Sequence, residues 1–376
     1  MKIRFDRSDL FEKLGLIAGI VPSNSPKPIL FDFLIQTSAG GLEVQANDLE
    51  VAGLIRVERV EVMEEGRLAL PASKLLSILR EIPPSVNGVI LLEGIPEIRG
   101  AVLRAEGYEF KLFGNDPDEF PQITQIVEDK KITISKESFV TSLKRVAVAT
   151  SRDTTRYQLA GVFFELNGGK LTLTATDGKR LTNDYLKVED PGNAAVNAIV
   201  PNRAVDVILK LLASSFDGGD EKFSLGFTET DVVVRTSLSQ INARLIEGTY
   251  PNYKNALPPE CPVKVKLKRT DLLSAARGAQ LMTDNQTSTV MFRFESGALT
   301  ISSQAKDVGE TKIQIKADVE KGPLEIRFNP TYLIDALRCV DEEEVRIEFV
   351  SGERPGIIRG GQHYRHIIMP LVFENK

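Results

Sequence analysis

Two patterns of apolar and polar residues divide the chain into predicted strands and helices. In KIRFDRSDLFEKL (2–14), apolar residues first alternate with polar ones and then, after a polar step, recur every three or four positions. This change of period predicts a strand followed by a helix, with a polar residue at the helix start. The same form recurs in KITISKESFVTSL (131–143) and VKVKLKRTDLLSAA (263–276). The pattern therefore indicates one strand-helix unit that is used three times.

Three further landmarks recur in the same order and at nearly constant spacing. A proline stands at or beside the start of a second amphipathic helix, where a missing N–H costs little, in LPASKLLSIL (70–79), VPNRAVDVIL (200–209) and FNPTYLIDAL (328–337). Alternating runs on both sides of a glycine turn predict hairpins in FLIQTSAGGLEVQA (33–46), FFELNGGKLTLTA (163–175) and FRFESGALTISSQ (292–304). A bulky residue precedes proline at Phe120-Pro121, Tyr250-Pro251 and Met369-Pro370.

These landmarks predict an α+β chain made of three copies of one domain, each with two helices packed on antiparallel sheets. We expect domain 1 at residues 1–126, domain 2 at 127–258 and domain 3 at 259–376. Linkers are predicted near 122–130 and 256–262. A length of 376 residues agrees with two or three domains.

The composition is that of a globular protein, with 42% hydrophobic and 26% charged residues. The opening MKIRFDRSDLFEKL has charges too frequent for a secretory signal or a membrane span, so a cytoplasmic protein is expected. Cys261 and Cys339 match no metal or redox spacing, which predicts buried thiols in a reducing compartment. A net charge of −5 argues against binding DNA by general attraction but leaves room for a local basic face.

The sequence contains few candidate residues for an enzymatic function. His363 and His366 are the two histidines of the chain; three positions apart on a predicted strand, they are expected to be surface or strand-end residues rather than zinc ligands. The sequence has no G-x-x-x-x-G-K-[ST] motif. Asp153, Glu165 and Asp177 could hold magnesium in a metal-dependent nuclease, which stays as an alternative function. A monomeric three-domain scaffold is a third hypothesis.

Together with the triplication, four segments resemble the bacterial sliding clamp, the beta subunit of the replicative DNA polymerase: ATDGKRL (175–181), EGTYPNY (247–253), FNPTYLIDAL (328–337) and MPLVF (369–373). The resemblance covers essentially the whole chain. It implies a clamp fold in which two chains form a head-to-tail ring around duplex DNA, loaded by an ATP-driven clamp loader. The ring would tether polymerase, ligase and repair proteins without catalysis and without a cofactor or metal.

The resemblance also implies one protein-binding pocket per chain, between domains 2 and 3. Clamp partners insert a short segment there, usually a glutamine followed by leucine and a terminal leucine-phenylalanine pair. The matching positions here are Leu159, Thr176, Gly178, Lys179, Arg180, Leu181, Pro251, Asn329, Tyr332, Met369, Pro370 and Leu371. Lys179 stands where the family commonly has histidine, Asn255 replaces a frequent arginine, and Val372 and Phe373 replace arginine and leucine. We therefore expect an altered partner preference.

Two further surfaces follow from the resemblance. Helices that line the ring would present cations to DNA phosphates, and the candidates are Arg80, Lys136, Lys144, Arg203, Lys210 and Arg277. The alternating edge strand GYEFKLF (107–113) invites pairing with another chain through Tyr108, Phe110 and Leu112. By resemblance it meets domain 3 of the second chain around Leu281 and Met282, which closes a symmetric ring.

Overall fold

The structure is a computed structural model. It describes residues 1–38, 40–83, 89–123, 130–189, 195–216, 219, 221–256, 260–283, 288–305, 309–361 and 363–371, without the side chains of Lys130 and Thr154. The predicted domain boundaries at 126/127 and 258/259 lie outside the described residues, as do Val372 and Phe373 of the tail.

The first repeat opens with the predicted strand and helix and places its second helix between two groups of strands. Its elements are β1 (Lys2–Asp6), α1 (Arg7–Ile17), β2 (Asp32–Ser38), β3 (Gly41–Asn47), β4 (Val51–Val57), β5 (Val60–Glu64), β6 (Arg67–Pro71), α2 (Ala72–Glu81), β7 (Val89–Ile95), β8 (Gly100–Ala105) and β9 (Tyr108–Leu112).

The second and third repeats follow the same order, so the predicted α+β fold of three repeats is confirmed. Domain 2 contains β10 (Lys130–Ser135), α3 (Lys136–Ala147), β11 (Gly161–Asn167), β12 (Lys170–Thr176), β13 (Arg180–Lys187), β14 (Val196–Pro201), α4 (Asn202–Leu212), β15 (Lys222–Phe227), β16 (Asp231–Arg235) and β17 (Ser239–Arg244). Domain 3 contains β18 (Val263–Lys268), α5 (Arg269–Gln280), β19 (Val290–Glu295), β20 (Ala298–Ala305), β21 (Gly309–Lys316), β22 (Asp318–Glu320), β23 (Leu324–Phe328), α6 (Pro330–Arg338), β24 (Glu344–Phe349), β25 (Gly356–Gly360) and β26 (Tyr364–Ile368).

The helix starts follow from local chemistry. The Asp6 carboxylate accepts the N–H of the residue three positions on at 2.8 Å and so caps α1. Asn329 caps α6 through its side-chain oxygen. The repeated prolines stand just before or at the first position of the second helix of each domain, at Pro71, Pro201 and Pro330. Proline there removes an N–H that has no partner inside the helix.

Antiparallel sheets run from one domain into the next. One sheet has the order β10-β15-β16-β17-β4-β3-β2-β6, in which β17 of domain 2 pairs with β4 of domain 1. A second has the order β14-β11-β12-β13-β26-β25-β24-β18-β22, in which β13 of domain 2 pairs with β26 of domain 3. The two remaining sheets, β5-β1-β7-β8-β9 and β21-β20-β19-β23, belong to domains 1 and 3 alone. Strands β9 and β21 therefore end these sheets as edges.

The helices of each domain pack against each other and against the sheets. Buried apolar side chains form one continuous cluster through domains 1 and 2, whereas domain 3 has a cluster of its own. A smaller cluster lies between domains 2 and 3 and includes Leu159, Leu181 and Ile367. This smaller cluster carries the candidate site.

Candidate functional site

The turn between β12 and β13 holds several predicted pocket residues. Asp177 organises the turn, because its Oδ1 accepts the N–H groups of Lys179 at 2.9 Å and of Arg180 at 3.0 Å. The Thr176 hydroxyl donates to the carbonyl of Arg180 at 2.6 Å. Side chain–backbone hydrogen bonds thus hold the turn together, as is common for aspartate and threonine. The Lys179 side chain is left exposed at the rim.

Gly178 completes the turn in a conformation that suits a residue without a side chain. Its φ is 86°, and a Cβ there would lie 2.9 Å from Nη1 of Arg156. Arg156 belongs to the 3-10 segment Thr154–Leu159, which lies against the turn. Arg156 was not among the predicted pocket residues, since an arginine in a polar loop gives no signal of its own. Leu159 ends the same segment, and its carbonyl accepts the N–H of Ser151 at 2.9 Å.

Arg180 connects domain 2 to domain 3. Its Nε donates to Oδ2 of Asp177 at 3.1 Å and its Nη1 to Oδ2 of Asp335 on α6 at 2.7 Å. The guanidinium also stands over the ring of Tyr332, 4.7 Å from the centroid, within the range of a cation–π contact. The side chain is 11% exposed, so solvent screens these contacts less than those of a surface ion pair. Asp335 was missed, although its place three residues after Tyr332 on a helix puts both on one face.

The floor of the site is a strand pairing between the two domains. Leu181 of β13 lies opposite Ile367 of β26. Leu159 and Leu181 are 8% and 5% exposed and share one apolar cluster with Ile367 and Tyr250. The Tyr250 ring stacks on Phe163 with centroids 4.8 Å apart. Both domains therefore supply the apolar surface at the base of the site.

The chain after β26 forms one wall. The Met369 N–H donates to the carbonyl of Lys179 at 2.9 Å, and the Leu371 N–H donates to that of Arg327 at 2.9 Å. Because the backbone is held at both points, the Met369 side chain stays beside the turn, where it is 44% exposed. Pro370 and Leu371 are half-buried. The structure thus brings residues of domains 2 and 3 together around the floor.

Two predicted residues lie at the margins of this junction. Asn329 caps α6, with its Oδ1 accepting the Thr331 N–H at 2.9 Å, which fixes the helix that carries Tyr332. Pro251 follows the buried Tyr250 and is exposed. A cleft of about 610 Å³ lies behind this segment. These residues therefore frame the floor rather than form it.

The six predicted DNA-facing cations have different environments. Arg80, Lys144 and Arg277 are exposed in the last turns of α2, α3 and α5. In the same helix position as Arg80, Lys210 donates to the Gly15 carbonyl of domain 1.

The other two candidate cations are tied more closely to the protein. Arg203 pairs with Asp48 and donates to the Ile20 carbonyl at 2.6 Å. Lys136 is 9% exposed, so its side chain is buried in the chain rather than presented to solvent. Sequence pattern marks the helix on which a cation lies but not the neighbour that it meets.

Of the residues predicted to join two chains, Tyr108 and Leu281 are exposed and Phe110 and Met282 are half-buried, whereas Leu112 is buried in the core of domain 1, contrary to the prediction. On β9, Tyr108 and Phe110 stack with centroids 6.3 Å apart, and Leu112 is 9% exposed. After α5, Leu281 is 75% exposed and Met282 is half-buried. Strand β21 lies next to α5 and forms the outer edge of the domain 3 sheet. Sequence analysis did not select β21, whose alternating GETKIQIK is the signal that could have identified it.

The acids considered for magnesium have partners within the chain. Asp153 caps the 3-10 segment, and Glu165 accepts from Tyr253 at 2.8 Å and from Lys254 at 2.9 Å. Asp177 holds its turn and pairs with Arg180. Across the described part of the chain, no group of three or more His, Cys, Asp or Glu residues could hold a metal ion.

The expectation for one histidine was wrong. His366 lies within β26 and is fully buried, where the Tyr364 hydroxyl is 3.0 Å from its Nδ1. Burial, with a smaller effect of nearby Arg180, lowers the pKa of His366 to about 3. His363 is half-buried and stacks on Tyr185 at 3.8 Å. The spacing of the two residues could not reveal this, because the burial of His366 depends on packing between distant segments at the junction of domains 2 and 3.

The cysteines are less buried than expected. Cys261 and Cys339 are both half-buried and free. Burial raises the pKa of the Cys339 thiol to about 11, which keeps it protonated at neutral pH. None of the helices that the structure describes has the length and apolarity needed to cross a membrane.

Comparison with known proteins gives the same assignment along the whole chain. Models of the DNA polymerase III beta subunit match residues 1–124 with the N-terminal domain, 133–252 with the central domain and 254–372 with the C-terminal domain. The chain is 28% identical to the beta sliding clamp of Streptomyces coelicolor and 27% identical to that of Chlamydia pneumoniae, with 99% of each chain covered in both cases.

Solved structures agree with the fold. The sliding clamp of Bacillus subtilis superposes with a TM-score of 0.90 at 24% identity over 99% of each chain. The sliding clamp of Bartonella birtlesii, solved bound to griselimycin, gives a TM-score of 0.92 at 25% identity over 99% of this chain and 100% of that one. The chain therefore belongs to the family of bacterial DNA polymerase III beta subunits, the sliding clamps.

Proposed function

We propose that two copies of this chain close head to tail into a ring around duplex DNA. As a member of its family, the chain is a processivity clamp of DNA replication, and a ring would supply processivity by enclosure rather than by affinity. One observation carries the proposal. Equivalent strands join the domains within the chain, β4 with β17 and β13 with β26. The next pair of the same series, β21 of domain 3 with β9 of domain 1, is left as two edges.

A second copy would complete both edges, because unpaired strands offer backbone groups that another strand can pair. Tyr108 and Phe110 of β9 would supply the apolar contacts, with Leu281 and Met282 opposite. Leu112 is left out because its side chain is buried in the core of domain 1. Support comes from the position of Met282, whose Sδ lies 3.7 Å from where a Cβ would stand on Gly309, the first residue of β21. The arrangement repeats after a twofold rotation, as closed dimers require.

Within the ring, exposed helix-end cations would contact phosphates without reading bases. Arg80, Lys144 and Arg277 are the proposed first contacts, because each is exposed. Arg203 and Lys210 already bind groups of domain 1, so we assign them first to the domain junction and second to DNA. Lys136 is left out because its side chain is buried. A chain of net charge −5 whose proposed first DNA contacts are three exposed cations would hold DNA loosely enough to slide.

The junction of domains 2 and 3 would bind partner segments. Leu159, Leu181 and Ile367 offer an apolar floor, and the exposed Met369 offers a side wall that a leucine or phenylalanine side chain could cover. The Lys179 ammonium at the rim lies within reach of a partner's carboxylate or carbonyl groups. Polymerase, clamp loader, ligase and repair proteins are the proposed partners, each through a short leucine and phenylalanine motif.

We place the protein in the cytoplasm, on the nucleoid during replication, and assign it no catalytic step and no cofactor. Supporting this, the carboxylates considered for magnesium are engaged by side chains or backbone of the protein itself.

Retention on closed and cut DNA tests the function directly. Clamp loaded on a nicked circular duplex should stay bound through a gel-filtration column, and cutting the circle once with a restriction enzyme should release it. Equal retention on circular and linear DNA would contradict enclosure. Light scattering on the free protein should give the mass of two chains, and the mass of one chain would contradict the ring.

A further inference from the structure

The two junctions inside the chain use equivalent strands but differ on the side of the helices. At the first junction, β4 pairs with β17 from Val51–Ala243 to Ile55–Ser239. At the second, β13 pairs with β26 from Arg180–Ile368 to Asn183–Arg365. The sheets alone would therefore make the two junctions similar. The helices that lie behind these strands make them different.

Apolar packing continues without a break across the junction of domains 1 and 2. The buried side chains of both domains belong to one cluster. Gly53 of β4 shows the density of this packing, since a Cβ there would lie 2.5 Å from Cδ1 of Ile20 and 3.0 Å from both Ile17 Cγ2 and Ile241 Cδ1. Ile17 and Ile20 belong to domain 1 and Ile241 to domain 2. Side chains of both domains therefore meet at a single point of the core.

Cations on α4 strengthen the same junction. Helix α4 packs against α1 of domain 1. Arg203 pairs with Asp48 and donates to the Ile20 carbonyl, and Lys210 donates to the Gly15 carbonyl near the end of α1. Carbonyl groups at a helix end lack partners within the helix, so cations satisfy them well.

The junction of domains 2 and 3 lacks these contacts in the described part of the chain. The residues of α6 equivalent to Arg203 and Lys210 are Thr331 and Arg338, as the repeated leucines Leu209 and Leu337 align the two helices. The Thr331 hydroxyl accepts from Gln280 of its own domain, and Arg338 pairs with Asp335 of its own helix. No comparable packing of α6 against α3 occurs among the described residues.

A cleft of about 820 Å³ separates the helices at this second junction, lined by Ala147, Val148, Arg152, Asn202, Val205 and Asp335 among others. Two ion pairs of the described residues cross the junction, Arg180 with Asp335 and Arg145 with Asp341. Arg145 is 17% exposed and Asp341 is 78% exposed, so solvent reaches this second pair from the side of Asp341 and weakens it. Junctions that are small and polar permit relative motion of domains, whereas large apolar ones resist it.

We propose that domains 1 and 2 move as one body and that the chain bends at the junction of domains 2 and 3. The inference extends to the partner site and, in that part, rests on the proposed function. The floor of the site is the only buried apolar cluster described between these two domains, and it combines Leu159 and Leu181 with Ile357 and Ile367. A change of angle between the domains therefore changes the shape of the floor.

Coupling between the angle and the site must act in both directions. A partner segment that fits one shape of the floor favours the corresponding angle, and an angle imposed on the ring changes the affinity for the segment by the same factor. Because Arg180 ties the turn to α6, it is a positioning residue that transmits this change. Partner binding would therefore stiffen each chain at one place.

Distance measurements between spin labels test the bend. In the full dimer with Cys261→Ser and Cys339→Ser, one pair of labels at exposed positions Glu58 and Lys187 reports on domains 1 and 2. A pair at Lys187 and Glu295 reports on domains 2 and 3. The second distance distribution should be at least about twice as wide as the first, as expected for a domain junction with less apolar packing. Equal widths, or a wider first distribution, would overturn the proposal.

Hydrogen exchange on the unmodified dimer gives the same comparison without cysteine changes. Amides in the pairing of β13 with β26 should exchange at least about tenfold faster than those in the pairing of β4 with β17, because local opening is cheaper where fewer apolar contacts must break. Equal protection of the two pairings would also overturn the bend.

A synthetic peptide, Gln-Leu-Ala-Leu-Phe, tests the coupling. When bound, it should narrow the second distribution and leave the first unchanged, whereas Gln-Ala-Ala-Ala-Ala should change neither. Binding of the first peptide, measured by fluorescence anisotropy, without narrowing would overturn the coupling alone. Failure of that peptide to bind would contradict the proposed partner site and the coupling, while the comparison of widths without peptide would still decide the bend.

Discussion

The guanidinium of Arg180 lies 2.7 Å from the carboxylate of Asp335, and this pair joins a turn of domain 2 to a helix of domain 3. The side chains are 11% and 24% exposed, so the pair is shielded better than most ion pairs on the surface. The contact joins the turn that is proposed to bind partners to helix α6 of domain 3. Breaking this ion pair should therefore affect both the turn and the helix.

We expect Asp335→Asn to lower the free energy of unfolding by about 1–3 kcal/mol, because it leaves a largely buried guanidinium with one carboxylate instead of two. Urea unfolding measures the change. Asp341→Asn is the matched control, since it breaks the exposed pair with Arg145 and should change stability by about 0–1 kcal/mol. Similar losses in both variants would show that burial of the Arg180 pair adds nothing.

Met369→Ala should weaken binding of a leucine-phenylalanine peptide by about 1–3 kcal/mol without unfolding the protein, because an exposed apolar wall is removed. Titration calorimetry measures the affinity. Leu49→Ala removes an apolar side chain of similar exposure in domain 1, 48% against 44%, and should leave the affinity unchanged. An unaltered affinity in Met369→Ala would remove this wall from the site.

Phe110→Asp should convert the dimer into monomers, because a charge on the apolar face of β9 would be buried in the proposed contact with β21. Multi-angle light scattering at micromolar concentration measures the mass. Met63→Asp is the control, since Met63 is 44% exposed on β5, the opposite edge of the same sheet. A dimeric Phe110→Asp protein would contradict the assignment of β9, and a monomeric Met63→Asp protein would contradict the choice of edge.

Gly53→Ala should lower the free energy of unfolding by about 1–3 kcal/mol, since the added methyl overlaps three isoleucine side chains in a closely packed core. Gly19→Ala adds the same methyl where nothing lies within 4 Å and should be close to neutral. Thermal unfolding compares the two. If Gly53→Ala is tolerated as well as Gly19→Ala, the core across domains 1 and 2 is looser than described.

Acid should lower the free energy of unfolding through His366, which lies where β26 pairs with β13. Its folded-state pKa of about 3 lies below the usual histidine value of 6.5, so the unfolded state binds the extra proton as pH falls. The group leaves the free energy of unfolding unchanged above pH 6.5 and lowers it by about 1.4 kcal/mol for each unit from pH 6.5 down to about pH 3. The stability of His366→Gln, measured by urea unfolding from pH 7.5 to 5, should lack this component; parallel pH profiles of the two proteins would contradict it.

Sequence reasoning located those parts of the molecule that repeat. Residues that are neighbours in the sequence determine the turn around Gly178 and the first turns of the helices at Pro71, Pro201 and Pro330. Contacts across a domain junction have no such signal. The residues next to Lys210 in the sequence do not predict that its ammonium donates to the carbonyl of Gly15, because that contact depends on how α4 packs on α1.

The same limit explains the errors within the site. His366 reads as a strand residue whose neighbours alternate, and packing at the junction of domains 2 and 3 buries it. Lys136 carries a charge on a predicted amphipathic helix, yet its side chain is buried at the first helical position. In both cases the residue type suggested solvent, and packing between elements distant in sequence decided otherwise.

The two edge strands β9 and β21, one in domain 1 and one in domain 3, have a consequence for symmetry. In a head-to-tail pair, β9 of each subunit faces β21 of the other, so the assembly would have two identical seams and one substitution in β9 would damage both. A hybrid of one altered and one normal subunit would keep a single sound seam. Such a hybrid would be a ring that opens at one known interface and could close around DNA there. The same substitution in the homodimer would break both interfaces.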